Sequence, residues 1–326
     1  MVRARIVGTG AYVPERVITN YDLEKMVSTS DEWIVTRTGI RERRVVFPDQ
    51  ATSDLAVEAS RRALEAAGVG AADLDLIIVA TLTPDMWVPS TACVLQAKLG
   101  AKKAWGFDLN AACSGFVYGL WVVDQFIRAG GARRVLLVGA EVLSKIVDWE
   151  DRNTCVLFAD GAGAVVIVPE DGERGLLGAR MRSDGEGWRM VYMPGGGTAI
   201  PPSHESLDGR YHYLKMNGNE LFKVAVRAME EVARVVLADC GIRAEELDLF
   251  VPHQANLRII QATAKRLNIP DEKIYVNIDR YGNTSAASVP LALDEAHRQA
   301  LVRPGDLVLM DAFGGGLTWG AALVRW

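Results

Sequence analysis

Trp105-Gly-Phe-Asp-Leu-Asn-Ala-Ala-Cys113-Ser-Gly-Phe-Val-Tyr-Gly-Leu-Trp121 is the stretch around which the chain is organised. Apolar residues up to Leu109 predict a buried strand, the small residues from Asn110 to Gly115 a turn, and the run from Phe116 to Ile127 a buried helix. Cys113 is expected at this strand-to-helix junction. There, unpaired amides and the positive end of a helix dipole favour thiolate, lowering the pKa from the free value of roughly 8.5. Ala111, Ala112, Ser114 and Gly115 are small enough to let a substrate approach the sulfur. A buried structural cysteine is the competing reading, since free cysteine is among the most buried residue types.

Working outward, the chain alternates helices and strands. Thr52 to Gly68 has helical period with a glycine C-cap, and Leu74 to Ala80 reads as a buried strand. A helix follows from Ser90 or Thr91, with Cys93 among core-type residues, and Arg134 to Gly139 is a further strand. Thr154–Phe158 and Ala164–Val168 read as two strands joined by the glycine turn 159–163, which puts Cys155 in the core. Near the N-terminus, Gly8-Thr-Gly10 offers only a weak dinucleotide-turn signal, because the third glycine is missing and Pro14 stands where a helix should start. Thr29-Ser-Asp-Glu-Trp33 opens a helix capped by Ser30, and Arg37, Arg41, Arg43 and Arg44 form either a solvated basic face or a site for a phosphorylated ligand.

From Pro169 to His212 the composition turns polar and glycine-rich, marking a connection after which the pattern starts again. Helices are expected over 219–237, 257–267 and 285–300, with strands at 247–251, 274–278, 307–310 and a last one to Val324. In the first half LDLIIVA begins at Leu74 and Cys113 follows 39 positions later (113 − 74); in the second, LDLFVP begins at Leu247 and Asn283 follows 36 later (283 − 247). This implies an internal duplication, halves 1–172 and 173–326, whose matching turns face one another across a shared interface.

Composition bounds the function. With 326 residues, 49% of them hydrophobic, the chain buries a full core without disulfides; a formal charge of -5 argues against general nucleic-acid binding. Cys93, Cys113, Cys155 and Cys240 are scattered, which indicates neither a metal site nor a disulfide framework. No apolar run approaches the ~18 residues of a membrane span, so a cytoplasmic, reduced setting is expected. A nucleophilic cysteine needs polar partners. Of His204, His212, His253 and His297, only His253 ends a buried strand, at the carboxyl edge where open α/β sheets place ligands. Asn283 lies in a turn of small residues. Gly314-Gly-Gly316, with no Lys-Ser/Thr after it, is an oxyanion-hole candidate rather than a phosphate loop.

Taken together, Ala111-Ala-Cys113-Ser-Gly-Phe, Val251-Pro-His253-Gln-Ala-Asn-Leu-Arg258, Gly282-Asn283-Thr-Ser-Ala, Ala312-Phe-Gly-Gly-Gly-Leu-Thr-Trp-Gly320, Asp160-Gly-Ala-Gly and the 29–41 segment resemble β-ketoacyl-acyl-carrier-protein synthase III, an initiating condensing enzyme of type II fatty-acid synthesis. The resemblance spans essentially the whole chain. It implies a duplicated thiolase-like α/β fold, layered α-β-α-β-α with two mixed sheets. It also implies Cys113 as acyl acceptor, His253 and Asn283 as helpers of malonyl decarboxylation, and the Cys113 and Gly315 amides as oxyanion hole. Thr29, Trp33, Arg37, Arg152 and Asn219 would border coenzyme A; Gln254, Arg258, Lys265 and Arg266 would meet an acidic acyl-carrier protein. Trp87 and Val88 would shape the acyl pocket, with Val88 admitting primers beyond acetyl. Acyl-CoA and malonyl-acyl-carrier protein are the implied substrates, with no cofactor and no metal, in a homodimer.

Alternatives stay open at this stage. A thiolase would want a second cysteine near the glycine loop, and elongating synthases use two histidines; neither is present. A secondary-metabolite starter enzyme of the same superfamily, a Cys-His-Asn thioester hydrolase and a non-catalytic acyl-CoA binder remain.

Overall fold

The computed structural model describes residues 2–326. Two mixed sheets form its frame. The first joins β1 (Val2–Tyr12), β2 (Leu76–Ala80), β3 (Trp105–Leu109), β4 (Val135–Val142) and β5 (Asp160–Asp171) in the order β1-β5-β4-β2-β3, with β2 parallel to both β3 and β4. The second joins β6 (Gly175–Ser183), β7 (Leu249–Pro252), β8 (Leu307–Gly314) and β9 (Thr318–Arg325) in the order β7-β8-β9-β6, with only β7 and β8 parallel.

Strand periodicity explains the layers, because successive side chains point to opposite faces. Ile77, Val79, Leu136 and Val138 pack outward under the helix α2 (Thr52–Ala67) and beside α3 (Thr91–Leu99). Their neighbours Leu76, Ile78 and Leu137 point inward to α4 (Gly115–Arg128) and α7 (Ser288–Arg298), which also touch Val251, Val308 and Met310 of the second sheet. On the far face Phe250, Leu309 and Leu323 lie under α5 (Gly218–Cys240) and α6 (Leu257–Leu267). The result is five alternating layers. Lying between two sheets, α4 must be apolar on most sides, and each fully buried side chain such as Phe116 contributes roughly 1.5–3 kcal/mol. Gly119 makes that approach possible, since a Cβ there would lie 2.5 Å from Leu137.

The duplication is visible atom by atom. Leu74 and Leu247, Asn110 and Asn283, and Ala112 and Ser285 all stand 173 positions apart (247 − 74, 283 − 110, 285 − 112). Asp75 receives the amides of Arg133 and Arg134, and its counterpart Asp248 receives that of Leu307. In each turn the asparagine oxygen accepts the amide two residues on, at 3.2 Å for Asn110 and 2.9 Å for Asn283. The residue that follows in each case is a non-glycine with positive φ, Ala112 at 47° and Ser285 at 51°. The match is therefore Asn110 with Asn283 and Cys113 with Ala286, within the two turns expected to correspond.

Other expectations are corrected by packing. Gly8 and Gly10 lie inside β1, where a Cβ would come within 2.4 and 2.3 Å of the Ala63 and Ala59 carbonyls, so they allow strand and helix to touch rather than cradle a nucleotide. Thr154–Phe158 is not a strand: Arg152–Cys155 is a helical turn capped by Asp151, and β5 runs unbroken through the expected glycine turn. Cys155 is buried as expected. The 169–212 connection contains β6, whose glycines and arginines hid its edge-strand role. In 274–278 only Ile274 bridges to Phe250, and the chain then winds into the turn Ile278–Tyr281. Cys93 is exposed in the first turn of α3 rather than set in the core.

Candidate functional site

Cys113 lies in the one-turn segment Ala112–Ser114 just ahead of α4 and is only partly exposed. The end of β8 is pressed against it: a Cβ on Gly314 would lie 2.6 Å from the Cys113 nitrogen and 3.0 Å from its Cβ. Thr318 ties the two together, its hydroxyl lying 2.8 Å from the Ala111 carbonyl and 3.1 Å from that of Gly315, while the Ser114 hydroxyl donates to the Thr318 carbonyl at 3.0 Å. The thiol departs from the expectation of a lowered pKa. Burial pushes it up to about 12; the nearby Ser285 hydroxyl offsets a part, and the charge of Glu141 adds to the rise.

Glu141 was not singled out from the sequence, where an acid at a strand end reads as solvated. It is fully buried and accepts from the hydroxyls of Thr81 and Thr83 at 3.1 and 2.5 Å and from the amides of Leu82 and Thr83. Burial nevertheless pushes its carboxyl up to about 7.

Across the interface, the single turn 285–287 meets the turn that carries Cys113: a Cβ on Gly115 would lie 3.5 Å from Ala286. On one side of this segment is Asn283, 6% exposed, with its amide donating to the Leu157 carbonyl at 2.8 Å and its own carbonyl accepting from Ala159 at 3.0 Å. Because Oδ1 is taken by the Ser285 amide, the Asn283 NH2 is the free end of the carboxamide. On the other side is Ser288, whose Oγ is 2.5 Å from His253 Nδ1. His253 is 1% exposed and its backbone amide donates to the Asp311 carbonyl at 2.8 Å. Burial pushes the imidazole down to about 3, so it is neutral at physiological pH, and Nε2 is buried without a partner among the described residues.

A cavity of about 1000 Å³ leads from the surface to Asn283. Its mouth is built from α1 (Asp31–Thr38) and α6. Ser30 caps α1 through the Trp33 amide, Asn256 caps α6 through the Arg258 amide, and the Asn256 NH2 donates to the Arg37 carbonyl at 3.0 Å. Gly39, at φ 82°, lets α1 lie flush on Leu257. The Trp33 ring carries two guanidinium groups, Arg37 at 4.7 Å and Arg152 at 4.8 Å from its centroid, so an aromatic plate with two cations faces the cavity. Asn219 and Arg258 complete the wall, Arg258 lying 5.4 Å over Phe222.

Not every expected residue joins this arrangement. Thr29 precedes the Ser30 cap with its hydroxyl buried, outside the cavity wall. Gln254 is 1% exposed; its side chain donates to the Pro252 and Tyr275 carbonyls and accepts the Asn277 amide, so no protein partner reaches it. Lys265 is exposed, but the Arg266 charge is already matched by Glu230 at 2.8 Å. Arg43 leaves the supposed basic face: fully buried, it donates to Ile18, Asn20 and Val156. Trp87 and Val88 are 75% and 83% exposed on the loop between β2 and α3 and line no part of the cavity. Among the described residues no group of three His, Cys, Asp or Glu is placed to hold a metal, and no helix is long and apolar enough to cross a membrane.

Residues 107–185 match the family model described as 3-Oxoacyl-[acyl-carrier-protein (ACP)] synthase III, and residues 237–326 the model for its C-terminal part. A Beta-ketoacyl-[acyl-carrier-protein] synthase III of Caldanaerobacter subterraneus subsp. tengcongensis is 55% identical, covering 100% of this chain and 98% of its own. The crystal structure of 3-oxoacyl-[acyl-carrier-protein] synthase III from Aquifex aeolicus VF5 superposes with a TM-score of 0.92 at 52% identity, over 99% of this chain and 100% of that one. The priming β-ketosynthase of the R1128 polyketide pathway gives the same TM-score, 0.92, at 37% identity, over 99% and 96%.

Proposed function

Because the chain belongs to the β-ketoacyl-acyl-carrier-protein synthase III family, we propose that it catalyses the initiating condensation of type II fatty-acid synthesis. The Cys113 sulfur attacks an acyl-CoA thioester; the acyl–sulfur bond to coenzyme A breaks, the cysteine proton passes to the departing thiol, and acyl-Cys113 and free CoA result. Negative charge on the attacked carbonyl oxygen falls to the Cys113 and Gly315 amides at the bend where β8 presses on the nucleophile. Malonyl-acyl-carrier protein then enters, loses CO2, and its carbanion attacks the acyl carbonyl; the acyl–Cys113 bond breaks, β-ketoacyl-acyl-carrier protein results, and the departing thiolate takes up a proton from solvent. Both reacting bonds are activated in the substrates, so the scheme calls on no cofactor.

The observation that carries this reading is the buried neutral His253, whose Nε2 lacks a partner among the described residues and whose Nδ1 meets Ser288, on the same 283–288 segment that carries the free Asn283 NH2. Two neutral donors suit the enolate oxygen formed as CO2 leaves, and they do not need to accept a proton. The same fact weighs against a thioester hydrolase: a general base works best with a pKa near the operating pH, and an imidazole pushed down to about 3 is far from it. Trp33, Arg37 and Arg152 supply a ring and two cations for the nucleotide and phosphates of coenzyme A, and Arg258 with Lys265 supplies the positive face for an acidic carrier.

We assign the second subunit the task of completing the acyl pocket. Strand β3 is an edge of the first sheet, and its Trp105, 46% exposed, stacks on Phe107 and meets Phe126 edge-on; Trp87, Val88 and Trp121 are also exposed. An apolar edge of this kind fits a homodimer in which Trp87 and Val88 reach the partner's thiol, with Val88 leaving room for primers beyond acetyl, in a cytoplasmic setting. The test is intact-protein mass spectrometry after acyl-CoA exposure, with Cys113→Ala as control. A stable adduct on Cys113 that is consumed only when malonyl-acyl-carrier protein is added is expected. Release of free acid without malonyl carrier points to a hydrolase, and no adduct to a binder.

A further inference from the structure

We propose that Ser288 is a positioning residue that fixes His253 as the Nε2–H tautomer, so that the imidazole presents a donor to the thioester oxygen during decarboxylation. The inference rests on the proposed condensation. It follows from counting protons around one buried hydroxyl. Ser288 is 2% exposed, and its Oγ has two neighbours, His253 Nδ1 at 2.5 Å and the Gln254 backbone amide at 3.3 Å. The amide can only donate. If Nδ1 also carried a proton, Ser288 would accept twice and its own O–H would be buried with no acceptor, at a cost of about 1–3 kcal/mol. If Nδ1 is bare, the hydroxyl accepts from Gln254 and donates to Nδ1, and the three groups that meet at Ser288 are all satisfied. The proton of the neutral ring then sits on Nε2, the atom without a partner.

Gln254 is what holds this relay still. Its side chain is locked to the carbonyls of Pro252 and Tyr275 and to the Asn277 amide, so the backbone N–H beneath Ser288 has little freedom to turn away. The duplication gives independent support. At the constant interval of 173, His253 corresponds to Ala80 and Ser288 to Gly115 (253 − 80, 288 − 115), and those two also touch: a Cβ on Gly115 would lie 3.1 Å from the Ala80 Cβ. The same contact between strand end and helix start therefore occurs in both halves. In the half that carries the nucleophile it is a bare packing contact; in the other it is an imidazole and the hydroxyl that sets its proton.

The experiment labels histidine with 15N in the wild type, Ser288→Ala and Ser288→Thr, reads the His253 ring shifts at neutral pH, and measures acyl transfer to Cys113 and condensation separately. The wild type is expected to show Nε2–H. Ser288→Ala should populate the Nδ1–H form and slow condensation on the order of 10- to 100-fold with acyl transfer within about threefold, and Ser288→Thr should restore both shift and rate. An Nδ1–H signal in the wild type overturns the proposal even if Ser288→Ala does not fold. So does an unchanged tautomer, or an equal loss of both half-reactions, in a folded Ser288→Ala. His253→Ala separates the two levels: if it condenses normally the proposed function itself fails, whatever Ser288 does.

Discussion

Replacing Asn283 by aspartate changes one atom's chemistry and little else. The Oδ1 that accepts the Ser285 amide at 2.9 Å persists in the carboxylate, and so does the backbone pairing with Leu157 and Ala159, so the turn should fold. The free NH2, however, becomes an oxygen. Loss of one donor to a developing oxyanion costs about 3–4 kcal/mol. A like charge about 4 Å from that oxygen adds on the order of 4 kcal/mol at an effective dielectric constant near 20. Even half of the second figure, as solvent and partial protonation would leave, predicts a condensation rate lower by at least about 10³-fold at pH 8. Asn283→Ala removes the donor without adding charge and should stop at about 10²–10³-fold. The assay follows CO2 release from malonyl-acyl-carrier protein by enzyme acylated beforehand, beside the rate of that acylation by rapid quench and mass spectrometry. Acylation should stay within about fivefold of wild type. An aspartate variant that condenses within tenfold of wild type, or one whose acylation falls as far as its condensation, refutes the assignment of Asn283 to the enolate.

Gly314→Ala puts a methyl group 2.6 Å from the Cys113 nitrogen; the forced shift should cost about 1–3 kcal/mol of stability and slow acyl transfer by about 10²-fold, and an unchanged acylation time course would contradict it. Alkylation of free Cys113 by iodoacetamide should rise about tenfold per pH unit from pH 7 to beyond pH 9, since burial holds the thiol up to about 12; a plateau near pH 8 would show that the helix end wins. Glu141 is raised from 4.5 to about 7 in the folded chain, so the native state binds the extra proton between those values and its stability falls as pH rises through them. Glu141→Gln lacks that slope, and its stability relative to wild type should improve by about 3 kcal/mol from pH 4.5 to 7 in urea titrations; a flat difference would sink the idea.

The frame and the places of the three candidate side chains were legible because each has a local signature: Cys113 among small residues between strand and helix, His253 at a strand end, Asn283 in a glycine turn. Fold layers followed from apolar runs too long and too uniform for a one-sided sheet. What stayed hidden depends on neighbours remote in sequence. The thiol's environment is set by Gly314 and Glu141, the tautomer of His253 by Ser288, and the loss of Arg43 from the basic face by the carbonyls of Ile18 and Val156. Gln254 illustrates the limit well: a polar residue beside the histidine reads as a surface contact, and only the carbonyls of Pro252 and Tyr275 reveal a buried brace. β6 was missed because this edge strand is held by just two buried apolar side chains, Leu176 and Ala179.

The bond from Asn256 to Arg37, with Gly39 flush on Leu257, joins α1, proposed to face the nucleotide, and α6, proposed to face the carrier, into a single rim. One doorway admits one visitor. On the proposed assignments, the donor that delivers the acyl group must withdraw its pantetheine arm before the carrier can extend its own, and a spent coenzyme lingering on Trp33 would bar the threshold. Turn-taking between the two guests is thus imposed by the frame of the entrance, ahead of any preference shown by the reacting atoms.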